Sequence, residues 1–558
     1  MHIRKHSLRF SLIFLTFFVL LLVFTVKLLF IQIFSSSFLA NIAKKQHDHL
    51  IELEPKRGGI YDRHRRPLAL NVTAYSLYAK PRMMTLQDKE KAIDELSRLL
   101  HLKESYLNDR LDRNKYFIWL ARKLSPDDMQ KIKDLQLHGL DFLKESKRFY
   151  PNQSLGMHVL GFVGMDHHGL EALELLFDRQ LKGESGWSQI IRDAKHRELL
   201  IEKKFIPAKD GFDLVLTIDE TIQYIAERAL EKAFKKHNAK GASIILMNPK
   251  TGEILAMANQ PSFDGNKAYE SPSDAHRNRA LVDMYEPGSV FKIVTAAAAL
   301  EEKIFNEKDK IFCENGEYRV ANHILHDYHP YGTLTFSEVF EQSSNIGVTK
   351  IAQKLGPAIV YKYASLFRFG QLTGINLPGE IGGILKKPSQ WSKTTIGAFP
   401  IGQEVTVTAL QLVCAIATIA NDGIYMKPFV VKYIQDQKGE IIDEYQPKAQ
   451  AQVISQETAV RLKNILTKVV EQGTGRMARI KNVSVAGKTG TAQKVVDGRY
   501  SQNKFYASFI GFAPVDDPQI AAVVVFDEPH PNHFGGTVAA PVFKEVLEDA
   551  LKYMKTAD

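Results

Sequence analysis

The sequence predicts a mixed α/β protein: one membrane-crossing helix, an elongated β-rich pedestal, and a larger domain whose helices flank a mainly antiparallel sheet. Three observations carry this. An apolar run opens the chain, a polar stretch with short strand-like runs fills residues 45–210, and beyond Asp210 hairpin-linked strands are bracketed by long apolar helices. A length of 558 residues exceeds a typical single domain. The composition, 45% hydrophobic and 24% charged, is globular and neither disordered nor collagen-like. A net charge of +10 suits a polyanionic surface such as a membrane or a cell wall. No helix-turn-helix signal, zinc spacing or RNP-like aromatic pattern points to nucleic acid.

The opening run is apolar over residues 10–26 apart from Ser11, Thr16 and Thr25, and it resumes after Lys27 as far as Phe34. Those 25 residues (10–34) would form a helix of about 37 Å, enough to cross a hydrocarbon core of about 30 Å with some tilt. Lys27 lies near the far end, where its stem reaches the interface. His2, Arg4, Lys5, His6 and Arg9 precede the run, so residues 1–9 are expected in the cytoplasm and everything after the span outside. A cleaved signal peptide is the alternative. The uncharged stretch is too long for a signal core, and Ala40-Asn41-Ile42-Ala43 lacks small-x-small spacing. Residues 45–210 hold a charged helical patch at 87–100 and two tight-turn segments, and read as a pedestal.

Residues 211–558 read as the second folded domain. Leu214-Val215-Leu216-Thr217-Ile218-Asp219 is a strand whose Asp caps a helix from Glu220. Two apolar runs, 242–247 and 253–257, flank the turn Asn248-Pro249-Lys250-Thr251-Gly252. Helices are expected at 289–300, 409–421 and 541–553, strands at 505–512 and 520–527, and a polar loop at 496–503. Of the two cysteines, Cys414 reads as a small buried hydrophobe, and pairing with Cys313 is open.

The chemistry begins at Glu286-Pro287-Gly288-Ser289-Val290-Phe291-Lys292. Pro-Gly breaks the preceding structure, a helix starts at Ser289, and residues three apart share a face, so the Lys292 amine can reach the Ser289 hydroxyl. A serine is a poor nucleophile until a base takes its proton, and lysine is that base only when burial or a second cation lowers its pKa. Ser-x-x-Lys alone is weak: Ser501-Gln502-Asn503-Lys504 repeats it in the expected loop, with a spurious Ser-x-Asn, and Lys250-Thr251-Gly252 reads as turn chemistry. What distinguishes the first copy is the constellation. Ser343-Ser344-Asn345 follows 54 residues on (343 − 289), and Lys488-Thr489-Gly490-Thr491 another 145 on (488 − 343).

In that order and with these flanks, the chain resembles the penicillin-recognising serine enzymes, and among them the membrane-anchored class B penicillin-binding proteins. Arg57-Gly58-Gly59-Ile60-Tyr61-Asp62-Arg63, Arg148-Phe149-Tyr150-Pro151, Gly161-Phe162-Val163-Gly164 and Gly169-Leu170-Glu171-Ala172-Leu173-Glu174 resemble the family's pedestal motifs. The chain departs at His64-Arg65-Arg66 and Ala172, both outside the expected active site. The resemblance implies a peptidoglycan D,D-transpeptidase that attacks D-alanyl-D-alanine through a serine acyl-enzyme. Ser289 would be the nucleophile, Lys292 the base and Ser343 the proton relay. Asn345, Lys488, Thr489, Gly490 and Thr491 would bind substrate, with Lys488 the fixed cation and the N–H groups of Ser289 and Thr491 the oxyanion hole. It implies no metal and no cofactor; His326-Asp327-Tyr328-His329 has no third ligand in register, and His530 and His533 read as loop.

Implied partners are stem peptides, β-lactams as covalent inhibitors, the inner membrane through one span, a glycosyltransferase and division-complex membrane proteins. Residues 503–514 and 527–529 resemble the division-specific branch more than the elongation branch, and the end at Asp558 suggests a Gram-negative-type envelope. A D,D-carboxypeptidase or β-lactam hydrolase shares the donor chemistry. A hydrolase, however, needs no pedestal of about 165 residues (45–210).

Overall fold

The computed structural model describes residues 3–34, 48–112, 115–192, 198–199 and 205–557. His2, the 40–43 segment weighed as a cleavage site, residues 45–47 and Asp558 lie outside them. The chain forms two compact units.

The first comprises Met1–Lys56 and Gly183–Gly211. Its helix, Ile3–Ile33, is apolar from Phe10 onward, and Phe10–Ile33 is exposed. At 24 residues (Phe10–Ile33) it is, among the described residues, the one helix long and apolar enough to cross a membrane. Thr16 and Thr25 donate their hydroxyls to Leu12 O and Leu21 O at 2.8 Å, so neither carries an unpaired polar group into an apolar surround. In the same unit Gly186–Arg192 pairs antiparallel with Asp48–Leu53, Glu198–Leu199 and Phe205–Ile206.

The second unit, Arg57–Lys182 and Phe212–Asp558, contains two large sheets. In chain order its labelled elements begin with β1 (Ile60–Tyr61), β2 (Pro67–Ala79), α1 (Leu86–Leu100), α2 (Glu104–Asp112), β3 (Ile118–Leu124), α3 (Pro126–Asp134) and β4 (Leu140–Phe149). Then follow β5 (Asp213–Leu216), α4 (Glu220–Lys236), β6 (Gly241–Met247), β7 (Ile254–Gln260), α5 (Lys292–Glu301), α6 (Asn345–Leu355) and α7 (Ala409–Ala420). Last come β8 (Val431–Gln435), β9 (Ile441–Glu444), α8 (Gln456–Glu471), β10 (Ala486–Val496), β11 (Arg499–Ala513), β12 (Ile520–Asp527) and α9 (Gly535–Ala557).

The seven-stranded sheet runs β9-β8-β5-β1-β2-β3, with β4 also on β2, so strands from both sides of residue 210 share one sheet. Only β1 and β5 pair in parallel within it. α1 begins at a Thr85 capping box, and its Ala92 and Leu96 pack with Leu107 and Leu111 of α2 against Leu77, Ala79 and Leu120 of the sheet. Three sequence motifs converge on one buried cluster. Glu174 takes Arg57 on Oε2 at 2.7 Å and Arg148 on Oε1 at 2.7 Å, and Arg57 also reaches Asp178 at 2.7 Å. Arg148 further donates to Gly58 O at 2.7 Å. Charge-assisted contacts from two guanidinium groups, one on each oxygen, are what make so buried a carboxylate tolerable.

The five-stranded sheet is wholly antiparallel, in the order β7-β6-β12-β11-β10. Its central strands are covered on both faces and so are apolar throughout, with successive side chains going to opposite layers. Ile244 and Leu246 join α4 and α9 on one face; Ile245 and Met247 join α5 and α7 on the other. Three expectations change. The loop at 496–503 is instead a hairpin, because Asp497 (φ 50°) and Gly498 (φ 75°) make a two-residue turn and the strands run on to either side of it. The helix placed at 541–553 begins at Gly535 and carries Pro541 inside it; buried Val538, Ala539, Ala540, Val542 and Phe543 offset the lost hydrogen bond. The helix start at Ser289 also changes, as described next.

Candidate active site

Ser289 lies in a 3₁₀ turn, Gly288–Phe291, and the α-helix proper starts at Lys292. Gly288 adopts φ 59°, and a Cβ there would sit 2.9 Å from Thr491 O, so the entry to the helix is pressed against β10 and only glycine fits. A 3₁₀ turn eclipses residues three apart, which brings Ser289 and Lys292 to one side. Gly490 serves the same close approach from β10: a Cβ there would lie 2.3 Å from Ser508 Oγ and 2.9 Å from Val290.

Lys292 is fully buried. Its Nζ donates to Ser343 O at 2.6 Å, Asn345 Oδ1 at 2.8 Å and Ser343 Oγ at 3.2 Å, all in the segment that opens α6. The i,i+3 spacing fixes which face the stem leaves by; the carbonyl and amide acceptors fix where the amine ends. Burial pushes its pKa down to about 7, with Asp327 pulling the other way. Lys488, on β10 and equally buried, donates to the same Ser343 Oγ at 2.8 Å and to Thr489 O at 3.2 Å. Burial first, and Lys292 second, hold its pKa well below the usual lysine range. The expectation of a fixed cation at Lys488 therefore applies once an anion arrives to compensate it.

Ser343 has φ 59°, uncommon for a residue with a Cβ, and this turns its hydroxyl between the two amines. Asn345 opens α6, and its Nδ2 donates to His326 O at 3.0 Å. Thr489 Oγ1 is 2.8 Å from Thr474 Oγ1, and Thr491 Oγ1 accepts Gly535 N–H at 3.1 Å. The structure thus brings Ser289, Lys292, Ser343, Asn345, Lys488, Thr489, Gly490 and Thr491 to one place, where α5, α6 and edge strand β10 meet. The second Ser-x-x-Lys stays outside that group: Ser501 lies on β11 and bonds to Asn503 at 2.8 Å, while Lys504 lies 3.7 Å from Glu528.

Asp327 was weighed in the sequence only as a metal ligand. Its Oδ2 accepts the Ser344 hydroxyl at 2.6 Å, and its Oδ1 accepts the N–H groups of Asn345 and of Ile346, the latter at 3.1 Å. It therefore holds the start of α6, and with it the Ser343-Ser344-Asn345 segment. Sequence gave no sign of this, since an Asp 18 residues before Asn345 (345 − 327) marks no helix start.

A sequence profile of the penicillin binding protein transpeptidase domain matches residues 242–548, and one of the penicillin-binding protein dimerisation domain matches residues 52–216. The chain belongs to the class B penicillin-binding proteins. Stage V sporulation protein D of Bacillus subtilis is 37% identical over 99% of this chain and 87% of its own length. The peptidoglycan D,D-transpeptidase FtsI of Escherichia coli K12 is 32% identical over 94% of this chain and 88% of its own. Among solved structures, penicillin-binding protein 3 of Mycobacterium tuberculosis in complex with aztreonam superposes with a TM-score of 0.71 at 28% identity, covering 90% of this chain and 97% of that one. As a class B penicillin-binding protein, the chain is a serine D,D-transpeptidase of peptidoglycan synthesis with one N-terminal apolar helix.

Proposed function

We propose that this chain cross-links peptidoglycan at the division septum, through an acyl-enzyme on Ser289. The observation that carries the residue roles is the shared hydroxyl: Ser343 Oγ lies 3.2 Å from Lys292 Nζ and 2.8 Å from Lys488 Nζ. One buried amine that loses its proton near neutral pH and one poised to pair with an anion, joined by a hydroxyl, form a proton path beside a nucleophile.

Ser289 Oγ attacks the penultimate D-alanine carbonyl while neutral Lys292 takes its proton. The tetrahedral oxyanion sits on the N–H groups of Ser289 and Thr491. As the peptide C–N bond breaks, the proton passes through Ser343 to the leaving D-alanine amine. The amine of a second stem peptide then attacks the ester, its proton returns along the same path, and Ser289 is released. Asn345 orients Lys292 and the substrate amide. Lys488 and Thr489 receive the terminal carboxylate, and Gly490 lets the strand approach.

In this reading residues 1–9 lie in the cytoplasm, 10–34 cross the inner membrane, 45–210 form the pedestal, and 211–558 work outside. A membrane glycosyltransferase supplies the strands, and division-complex proteins place the enzyme. The septal assignment rests on residues 503–514 and 527–529, which resemble the division branch. With a fluorescent penicillin, Ser289→Ala is expected to abolish covalent labelling and Ser501→Ala to keep it. The opposite pattern would show the wrong serine was chosen.

A further inference from the structure

On the face of the five-stranded sheet opposite α5, helix α4 borders a cavity of about 720 Å³ that plays no part in the chemistry above. Its other wall is the 151–155 loop, and Arg66 closes one end. Along α4, Glu220, Tyr224, Glu227 and Glu231 recur at intervals of four, three and four, so one helix face lines the cavity. The opposite face, with Ile222, Ala226, Ala229 and Leu230, is buried in the core.

Among the described residues, the charged groups at the cavity's two ends form no close ion pair. Glu227 Oε1 accepts Gly156 N–H at 2.7 Å and Gln223 Nε2 at 2.8 Å, yet among the described residues no cation forms an ion pair with this carboxylate. Its burial pushes its pKa up to about 7. Of the neighbouring acids, Glu231 pairs with Lys235, while Glu220 accepts only the neutral Asn152 amide, at 2.7 Å. Arg228 is taken by Asp549 at 3.1 Å. At the other end Arg66 donates to Thr221 Oγ1 at 2.8 Å and forms no ion pair among the described residues, although Asp62, Asp219 and the Tyr553 hydroxyl support its charge. Between them Tyr224 stands 55% exposed.

We propose that this cavity binds a short zwitterionic peptide, with its amine at Glu227 and its carboxylate at Arg66, and Tyr224 as the wall between. Thr221, which marks the Arg66 end, is six residues from Glu227 (227 − 221), or about 9 Å along the helix. Three extended residues span about 10 Å. Resting on the function proposed above, the peptide is a wall stem peptide, which carries both a side-chain amine and a C-terminal carboxylate. The cavity then gives the polymer a second hold on the enzyme, separate from Ser289.

The test uses the full chain in detergent, first acylated with benzylpenicillin so that the active site is filled. Intact mass confirms loading, and failure to load counts against the Ser289 reading alone. The probe is L-Ala-γ-D-Glu-L-Lys-D-Ala, followed by calorimetry. Saturable binding is expected, weakened roughly tenfold by Glu227→Gln and by Arg66→Ala, the scale of one lost charge-assisted contact. With the unmodified protein, acetylating the lysine amine or amidating the C-terminus should weaken it likewise. No saturable binding, or binding indifferent to both protein changes, or to both peptide changes, would overturn the proposal.

Discussion

Two amines on one hydroxyl cannot both stay protonated at little cost. The drop at Lys292 from 10.5 to about 7 corresponds to about 5 kcal/mol of lost preference for the charged form. The neutral amine is the competent base, and its share grows as pH rises. Acylation by penicillin is therefore expected to climb through about pH 7 and then level. Arginine at 292 keeps the charge and cannot give up its proton, so Lys292→Arg should acylate negligibly at any pH from about 5 to 9. Arginine at 488 still offers a carboxylate its cation, and Lys488→Arg should retain measurable acylation, impaired by geometry. The check is the second-order acylation rate of both variants across that range. Equal rates would mean the proton leaves Ser289 by another route, most directly through Ser343.

At the scale of elements, the site is three segment ends held in register: the 3₁₀ entry to α5, the start of α6 and the edge strand β10. Asp327 bonds α6 at three points. Its negative charge also raises the pKa of Lys292 against the effect of burial. Asp327→Asn keeps an acceptor for the helix N–H groups but removes the charge, so the acylation profile should move to lower pH. A loss of rate with the midpoint unmoved would reduce Asp327 to a purely structural cap. The elements legible in the sequence were those written in local chemistry: the Asp219 cap, the Asn248 turn whose Oδ1 accepts Lys250 N–H at 2.9 Å, and the apolar strands of the five-stranded sheet. The three motifs were legible because each carries its own reactive groups. Asp327 was not, because its partners lie beyond the strand Thr333–Thr335 and the helix Phe336–Glu341. The 496–503 segment was misread because its polarity spoke for a loop, while Asp497-Gly498 encoded a hairpin turn within it. The entry at Ser289 was read as α because 3₁₀ and α turns share the same residue types, and the tight contact of Gly288 with Thr491 is a tertiary fact.

On the function proposed above, the whole molecule has to bring this site to a polymer outside the cytoplasm while its apolar helix holds the chain at the membrane. The seven-stranded sheet bears on how that reach is made. Strands from 60–149 and strands from 213–444 hydrogen-bond in one sheet, and the Arg57–Glu174–Arg148 cluster locks the pedestal motifs beside it. The pedestal strands and the catalytic residues thus belong to one compact unit, so what orients the pedestal orients Ser289 as well. Direction must come from the anchor. Arg4, Lys5 and Arg9 precede an apolar span of 24 residues, and positive charge is retained on the cytoplasmic side. On the function proposed above, the expected orientation is N-terminus inside, Ser289 outside, span uncleaved. A reporter that works only outside the cytoplasm, fused after Asp558, should be active, and one that works only inside should be silent. The purified protein should keep its N-terminal residues. A silent external reporter, or a mature terminus near Asn41, would defeat the orientation and leave the substrate on the wrong side of the membrane from the serine meant to attack it.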